Sequence, residues 1–203
     1  MKADSIVFTI AGMCFGVILG WVLGTQQAAR SVPVASAQAP AAGTGNAQQR
    51  ATLDEGRVKE LTATLAGDPN NAGAVLQLAN TYFDGERYDD AIKWYEQALK
   101  LDPKNVEAST DLGVSYYYLN QADRALQQFD YSLKLDPSHT KTLLNQGIVM
   151  AFGKQDLNAA AASWQKVVDI APNSAEGQAA KRALEGVAAA HQQGGAAAPA
   201  PGS

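Results

Sequence analysis

Residues 101–137 read LDPKNVEASTDLGVSYYYLNQADRALQQFDYSLKLDP, a stretch that begins and ends with Leu-Asp-Pro. A proline recurs through the middle of the chain at intervals of 34, 34 and 35 residues. These prolines are Pro69, Pro103, Pro137 and Pro172. A residue that precedes proline is pushed out of the α-helical region, so each proline marks the end of a helix. A fixed period of this length predicts a solenoid of stacked repeats.

Between the prolines, apolar residues recur at steps of three and four, which is the period of an α-helix. In the first interval they form two runs, at 75–82 and 91–99, separated by the polar stretch 84–87. A similar polar break stands at Asn120 and Gln121. Each repeat is therefore predicted to be a helix, a tight turn and a second antiparallel helix. Neither helix can bury its apolar stripe alone, so the pairs must stack.

The residue types at fixed offsets resemble the tetratricopeptide repeat (TPR) family, whose pattern is large apolar, Leu-Gly, Tyr, Ala, Phe, Ala, Pro. The first copy supplies Val75, Leu78, Ala79, Tyr82, Ala91, Tyr95, Ala98 and Pro103. The second supplies Leu112, Gly113, Tyr116, Ala125, Phe129, Ser132 and Pro137, with Ser109 at the large apolar site. The third supplies Leu143, Gly147, Met150, Ala160, Trp164, Val167 and Pro172, with Gln146 replacing leucine and one extra residue near Gly153 and Lys154. We interpret these residues as packing positions.

The predicted fold class is all-α: a TPR helix-turn-helix solenoid with three full repeats and flanking helices, preceded by a single transmembrane helix. The expected segments are a short N-terminal tail (1–5), the transmembrane helix (6–24), a flexible linker rich in Ala, Pro and Gln (25–50), the TPR domain (51–190) and a disordered tail (191–203). Within the domain we place the repeats at about 72–105, 106–139 and 140–174 and the flanking helices at 53–66 and 174–190.

The predicted transmembrane helix rests on residues 6–24, nineteen residues without a charge. At about 1.5 Å per residue this run nearly matches a hydrocarbon core of about 30 Å. The alternative is a signal peptide cleaved after Ala37, because Ala35-Ser36-Ala37 offers an A-x-A site. An uncleaved anchor is favoured, since the run exceeds the usual h-region of about 7 to 15 residues and the site lies well beyond its end.

The flanking charges and the glycines of the span predict its orientation and its contacts. Lys2 precedes the span and Arg30 follows it, which favours a cytoplasmic N-terminus and a periplasmic TPR domain in a bacterial inner membrane. Four glycines lie in phase on one ridge and permit close packing with the same helix of a second copy or with a partner's helix. These are Gly12, Gly16, Gly20 and Gly24.

The composition excludes several classes of function. The 203 residues carry 16 basic and 20 acidic side chains, a net charge of −4, so a basic stripe for nucleic acid is absent. The single cysteine, Cys14, and the two histidines, His139 and His191, do not form a metal-ligand cluster. Neither a nucleophile–base set nor a phosphate loop can be assembled. We therefore expect no enzymatic activity and no cofactor.

The resemblance to TPR proteins also implies a binding surface, because TPR arrays usually hold a peptide or an extended protein segment along a concave face lined by the first helix of each repeat. The corresponding positions are Leu76, Asn80, Phe83, Thr110, Val114, Tyr117, Leu144 and Ile148. This groove is predicted to be mostly apolar and to favour an apolar or helical segment. Leu76 stands where chaperone-tail-binding TPR domains carry a lysine that clamps a carboxylate. The alternative is that the chain's own terminal helix fills the groove.

Two functions remain open at this point. The first is a membrane-anchored TPR scaffold that binds a protein segment in its groove and supports assembly of a membrane-associated complex. The layout resembles TPR proteins of cytochrome c maturation, which present apocytochromes for haem attachment. The alternative is a structural subunit of a larger membrane complex, held by its glycine-ridged transmembrane helix and without a transient client.

Overall fold

The computed structural model describes residues 52–196. Within that range the regular elements are eight α-helices and one π-helical turn, without strands, which confirms the predicted all-helical class. The helices are α1 (Glu55–Gly67), α2 (Ala72–Asp84), α3 (Tyr88–Leu101), α4 (Val106–Tyr118), α5 (Ala122–Leu135), α6 (Thr140–Ile148), α7 (Leu157–Ile170) and α8 (Ala175–Ala196).

The predicted transmembrane helix at 6–24, with its four glycines, and the predicted linker at 25–50 lie outside the described residues. None of the helices between residues 52 and 196 combines the length and the apolar character needed to cross a membrane.

Consecutive helices pack against each other throughout the described region. The pairs α2–α3, α4–α5 and α6–α7 correspond to the three predicted repeats. Helix α1 packs on α2, whereas α8 contacts both α7 and α6. These nearest-neighbour contacts are those of a solenoid of repeats.

Asparagine side chains cap the N-terminus of the first helix in two successive repeats. Asn71 Oδ1 accepts a hydrogen bond from the backbone N–H of Ala74 at 3.0 Å, and Asn105 Oδ1 accepts one from Ala108 at 2.9 Å. Each cap satisfies one of the N–H groups that a helix leaves unpaired at its start. The third repeat has His139 at this position, without a side-chain cap bond. Its ring therefore remains free to make bonds elsewhere.

A residue with a left-handed backbone lies in the turn between the two helices of each repeat. These residues are Glu86, Asn120 and Gln155, with φ angles of 57°, 59° and 57°. Side chains other than glycine rarely adopt this conformation, although asparagine does so more readily than most. Its recurrence indicates that the three turns share one geometry.

A small residue on the first helix lies against an aromatic ring on the second. A Cβ atom added at Gly113 would lie 2.5 Å from Cε1 of Phe129, and one added at Gly147 would overlap the indole of Trp164. Phe129 is 0 % and Trp164 is 2 % exposed. These rings therefore join the helices of a repeat and are not available to a ligand.

The second repeat compensates for its departure from the family pattern at Ser109. The Ser132 hydroxyl donates to Ser109 Oγ at 2.7 Å, and the Gln128 amide donates to the same atom at 2.7 Å. Ser109 and Ser132 are both 0 % exposed. A buried hydroxyl is tolerated only when it is hydrogen-bonded, so the two serines satisfy each other.

The extra residue of the third repeat is accommodated in the π-helical turn Val149–Gly153, which continues α6. A π turn takes one more residue per turn than an α turn. A Cβ added at Gly153 would lie 3.0 Å from Cβ of Ala122 and 3.4 Å from Cε2 of Tyr117. The turn therefore packs against the second repeat.

The flanking helices differ slightly from their predicted bounds. Helix α8 ends at Ala196, six residues beyond the predicted end at 190, because residues 188–193 (AAAHQQ) are mostly good helix formers. Residues 191–196 are thus helical where the tail was expected to be disordered. Helix α1 begins at Glu55 because the Asp54 side chain caps it, accepting from the backbone N–H of Arg57 at 2.8 Å.

Candidate functional site

Five of the eight predicted groove residues keep some solvent exposure. On α2, Leu76 and Phe83 are half-buried and Asn80 is exposed, and on α4, Val114 and Tyr117 are half-buried. The four apolar side chains also pack against the buried core of the first two repeats. The core therefore fixes these side chains on one side, while their other side stays exposed to solvent.

The amide of Asn80 is oriented by the core. The hydroxyl of Tyr95, which is 1 % exposed, donates to Asn80 Oδ1 at 2.8 Å. No other described residue bonds the Asn80 side chain, so its two N–H donors remain available to an acceptor.

The other three predicted groove residues are buried, so they offer little surface to a ligand. Thr110, Leu144 and Ile148 are 0 %, 5 % and 6 % exposed. The Thr110 hydroxyl donates to the carbonyl of Val106 at 2.8 Å and lies 2.6 Å from the Thr142 hydroxyl. Leu144 and Ile148 lie on α6, which α5, α7 and α8 enclose. Helix α8, the chain's own terminal helix, contacts α6, as the alternative of a self-filled groove would require in the third repeat.

A charged cluster that the sequence analysis missed lies between the second and third repeats. The Lys141 ammonium is 2.8 Å from Asp111 Oδ1 and 3.0 Å from Glu107 Oε2. His139 Nε2 lies 2.9 Å from the other Glu107 oxygen, and His139 Nδ1 lies 2.6 Å from the Thr142 hydroxyl. We call Glu107, Asp111, His139 and Lys141 the Lys141 cluster. Its signal was the repeat period, because Glu107 and Lys141 are 34 residues apart and so occupy the same place in successive repeats.

The pKa values of the two carboxyl groups in this cluster shift in opposite directions. Burial raises the pKa of Asp111, even though the adjacent Lys141 acts in the other direction. Burial also opposes ionisation of Glu107, but Lys141 and His139 together hold its pKa below its usual range. Lys141 is thus the shared counter-ion of two carboxylates.

A further carboxylate, Asp84, lies nearby without a cation. It is the last residue of α2, and no ion pair joins it to any residue between 52 and 196. Burial raises the pKa of Asp84. Burial first, and then Asp111, Asp84 and Glu107, also raise the pKa of Tyr95. The three carboxylates therefore act electrostatically on the same buried hydroxyl, the one that donates to Asn80.

Four aromatic side chains, which we call the aromatic patch, meet at the end of α2 and α4. The rings of Tyr88 and Tyr118 stack with centroids 4.4 Å apart and planes 9° apart. Phe83 lies edge-on to both, at 5.5 Å from Tyr88 and 6.3 Å from Tyr118, and Tyr117 is 6.3 Å from Tyr118. All four are half-buried. None of the three hydroxyls is bonded to a described residue, so they remain available to another molecule.

Of the run 116–118, only Tyr117 was predicted to lie on the binding face. Tyr116 is 5 % exposed and its hydroxyl donates to Glu96 at 2.8 Å, in agreement with its assignment to the core. Tyr118 nevertheless belongs to the aromatic patch because it stacks on Tyr88. Among the described residues, no group of three His, Cys, Asp or Glu side chains is arranged to hold a metal ion.

Comparisons with known proteins give the class of this fold. Residues 79–119 match a family model described as TPR repeat, and residues 110–175 match one described as Tetratricopeptide repeat. Both models describe structural repeats, and neither indicates a catalytic family. A comparison with curated proteins found no match.

Several solved structures resemble the chain. One is described as the first TPR of Spaghetti (RPAP3) bound to the HSP90 peptide SRMEEVD, with 26 % identity, a TM-score of 0.55 and coverage of 62 % of this chain and 96 % of that one. The first TPR domain of human RPAP3 has 25 % identity and a TM-score of 0.55, covering 64 % of this chain and 99 % of that one.

MamA, at 18 % identity and a TM-score of 0.54, covers 68 % of this chain and 88 % of that one, and shares the fold. Together with the family models, the two RPAP3 structures support the assignment of the three helical pairs to the TPR family.

Proposed function

We propose that this protein is a membrane-anchored TPR scaffold that binds a segment of another protein on α2 and α4 and supports assembly of a membrane-associated complex. The observation that carries the proposal is the half-exposed apolar surface of Phe83, Val114 and Tyr117, bordered by the free donors of Asn80. An apolar stripe with a few directed polar groups is the usual form of a peptide groove.

The structural neighbours support binding of a peptide in particular. The RPAP3 domain, which matches this chain at 26 % identity, is described as bound to an HSP90 peptide. The absence of a catalytic family among the matches also favours a scaffold over an enzyme. The segment 6–24 supplies the proposed anchor, with the N-terminus in the bacterial cytoplasm and the repeats in the periplasm.

Photo-crosslinking in intact membranes tests the binding of a client. A photoreactive residue is placed at Phe83 or at Tyr117 of the full-length chain, with Lys166 on the outer helix α7 as the matched control position. We expect one captured polypeptide at the first two positions and none at the third. The resemblance to cytochrome c maturation proteins makes an apocytochrome the first identity to test. Equal capture at Lys166, or no capture by chains that are folded, would contradict the proposal.

The same preparations test the anchor and the structural-subunit alternative. An N-terminus that begins at Gln38 in the mature protein would show that the leader is removed. Release from a complex by Gly16→Leu and Gly20→Leu, with no effect of Phe83→Asp, would instead support a permanent subunit without a client.

A further inference from the structure

We propose that the groove selects a cationic segment, in which a Lys or Arg side chain approaches Asp84 while an adjacent apolar side chain lies on the aromatic patch. This inference rests on the proposed function, because it names the chemistry of the segment that the groove would bind. It goes beyond the sequence analysis, which predicted a mostly apolar groove.

The charge balance of this face is the first argument. The Lys141 cluster contributes two carboxylates and one ammonium, and that ammonium is already paired with both Glu107 and Asp111. Asp84 and Glu86 add two more carboxylates, both exposed, and neither forms an ion pair with a described residue. The face therefore carries an excess of negative charge that a cationic ligand would complement.

The position of Asp84 is the second argument. The carboxyl end of a helix carries a partial negative charge, so a carboxylate on the last residue of α2 is locally unfavourable. Asp84 is solvent-exposed, yet desolvation by the surrounding atoms raises its pKa. A carboxylate that is unfavourable in the free protein and has no internal partner is typical of a functional residue.

The aromatic patch next to Asp84 is the third argument. Phe83 precedes Asp84 in the chain and contacts Tyr88 and Tyr118. Burial first, and then Tyr118 and Glu86, raise the pKa of Tyr88, which places the Glu86 carboxylate near this stack. Aromatic faces attract the guanidinium of Arg and the ammonium of Lys, and also cover the apolar stems of those side chains. The carboxylates of Asp84 and Glu86 thus lie beside the aromatic patch. A segment with both cationic and apolar side chains needs these two kinds of contact next to each other.

The contrast with the RPAP3 neighbour sharpens the inference. The peptide in that structure, SRMEEVD, contains two glutamates and an aspartate. On this chain Leu76 replaces the lysine expected of a carboxylate clamp, and the free charges near the aromatic patch are negative. An acidic tail would therefore be repelled where a basic segment is attracted.

A pair of synthetic peptides tests the selectivity. Both are matched in length and in their Leu and Phe residues, and one carries lysines where the other carries glutamates. Binding to the full-length chain is measured by fluorescence anisotropy. We expect the basic peptide to bind about tenfold more tightly in low salt, and the ratio to shrink as salt is raised to about 1 M.

Charge-removing variants locate the effect. The double change Asp84→Asn and Glu86→Gln should weaken binding of the basic peptide about three- to tenfold and leave the acidic peptide unaffected or bound more tightly. Asp169→Asn on the outer helix α7 removes one charge away from the face and should change neither. Asp84→Asn alone should not lower the melting temperature, because the carboxylate is unfavourable in the free protein. A purely structural role for Asp84 would produce the opposite result.

The outcomes separate this inference from the proposed function. If both peptides bind equally well, or the acidic one binds better, selection by charge is overturned. If Phe83→Ala still weakens both peptides in that case, the groove remains a peptide-binding site and the proposed function stands. If neither peptide binds, the cationic segment is again overturned, while the crosslinking experiment continues to test the proposed function independently.

Discussion

The first helices of the second and third repeats occupy equivalent places in the solenoid but present different surfaces. Val114 and Tyr117 on α4 keep an outer surface, whereas Leu144 and Ile148 on α6 are 5 % and 6 % exposed. Leu144 is the counterpart of Thr110, which is also buried. The difference therefore lies between Val114 and its counterpart Ile148, on the helix that α8 contacts in addition to α7. The place of a residue within a repeat thus decides which way it points, and the elements that stack around that repeat decide whether it can meet a ligand.

The largest expected effect compares Leu144→Ala with Phe83→Ala. Leu144 is enclosed, so its truncation should lower the free energy of unfolding by about 3 kcal/mol. Phe83→Ala should lower the free energy of unfolding by about 1 kcal/mol, because Phe83 is half-exposed and less apolar area is lost from the core. Urea unfolding measures both. Binding of the basic peptide should show the reverse order, and a folded Leu144→Ala chain that lost as much affinity as Phe83→Ala would contradict the comparison.

The second prediction concerns the docking of α8. A Cβ added at Gly177 would overlap the backbone carbonyl of Ala171, which cannot rotate away as a side chain can. Gly177→Ala should therefore destabilise the domain by about 2 kcal/mol. Gly186→Ala lies in the same helix with nothing within 4 Å of the new atom, so it should stabilise slightly. Equal melting temperatures for the two variants would be inconsistent with the packing described.

The third prediction concerns the Lys141 cluster, which joins the second and third repeats. Lys141→Met leaves Asp111 and Glu107 without their shared counter-ion. Since the Lys141 side chain is 37 % exposed and solvent screens it, the expected loss at neutral pH is only about 1–2 kcal/mol. Lys166→Met, at an exposed position on α7 without an ion pair to the described residues, is the matched control and should change stability little.

The pH dependence of this variant has a definite sign. Without Lys141 the pKa of Asp111, already raised by burial, rises further, so the folded state binds a proton more readily than the unfolded chain. The destabilisation should therefore shrink as pH falls from 7 towards the usual Asp range near about 4. A deficit that grew on acidification in urea unfolding would contradict this role for Lys141.

The smallest expected effect tests the equivalence of the turns. Gln155→Gly should stabilise the domain by about 0.5–1 kcal/mol, because glycine adopts the left-handed φ of 57° without steric cost. Asn120→Gly should gain less, since asparagine tolerates this conformation better than glutamine. Thermal unfolding of the two variants measures the difference, and a larger gain at Asn120 would contradict it.

Much of the fold follows from local sequence signals. The proline period and the steps of three and four predicted the helical pairs, because both depend on residues close together in the chain. The extra residue near Gly153 was also apparent from the period, and the structure places it in a π-helical turn. The pairing of Ser109 with Ser132 had a weaker signal, namely one polar departure from the pattern, at Ser109, and a second serine in the same repeat.

The site was less predictable because it depends on contacts between repeats. Burial of Thr110 requires Thr142, 32 residues away, and burial of Leu144 and Ile148 accompanies the packing of α8. The stack of Tyr88 on Tyr118 likewise joins two repeats. Alignment of the repeats brings Glu107 beside Lys141, so inspecting equivalent positions for opposite charges would have found that pair.

Footprinting with hydroxyl radicals tests most directly whether α2 and α4 form the binding face. Oxidation of Phe83, Tyr117 and Tyr131 is compared between native membranes and the purified full-length protein. Tyr131 is the internal control, since it is 39 % exposed on the outer helix α5. We expect protection of Phe83 and Tyr117 in the membranes with no change at Tyr131. Equal oxidation of all three residues in both preparations would contradict the proposed groove.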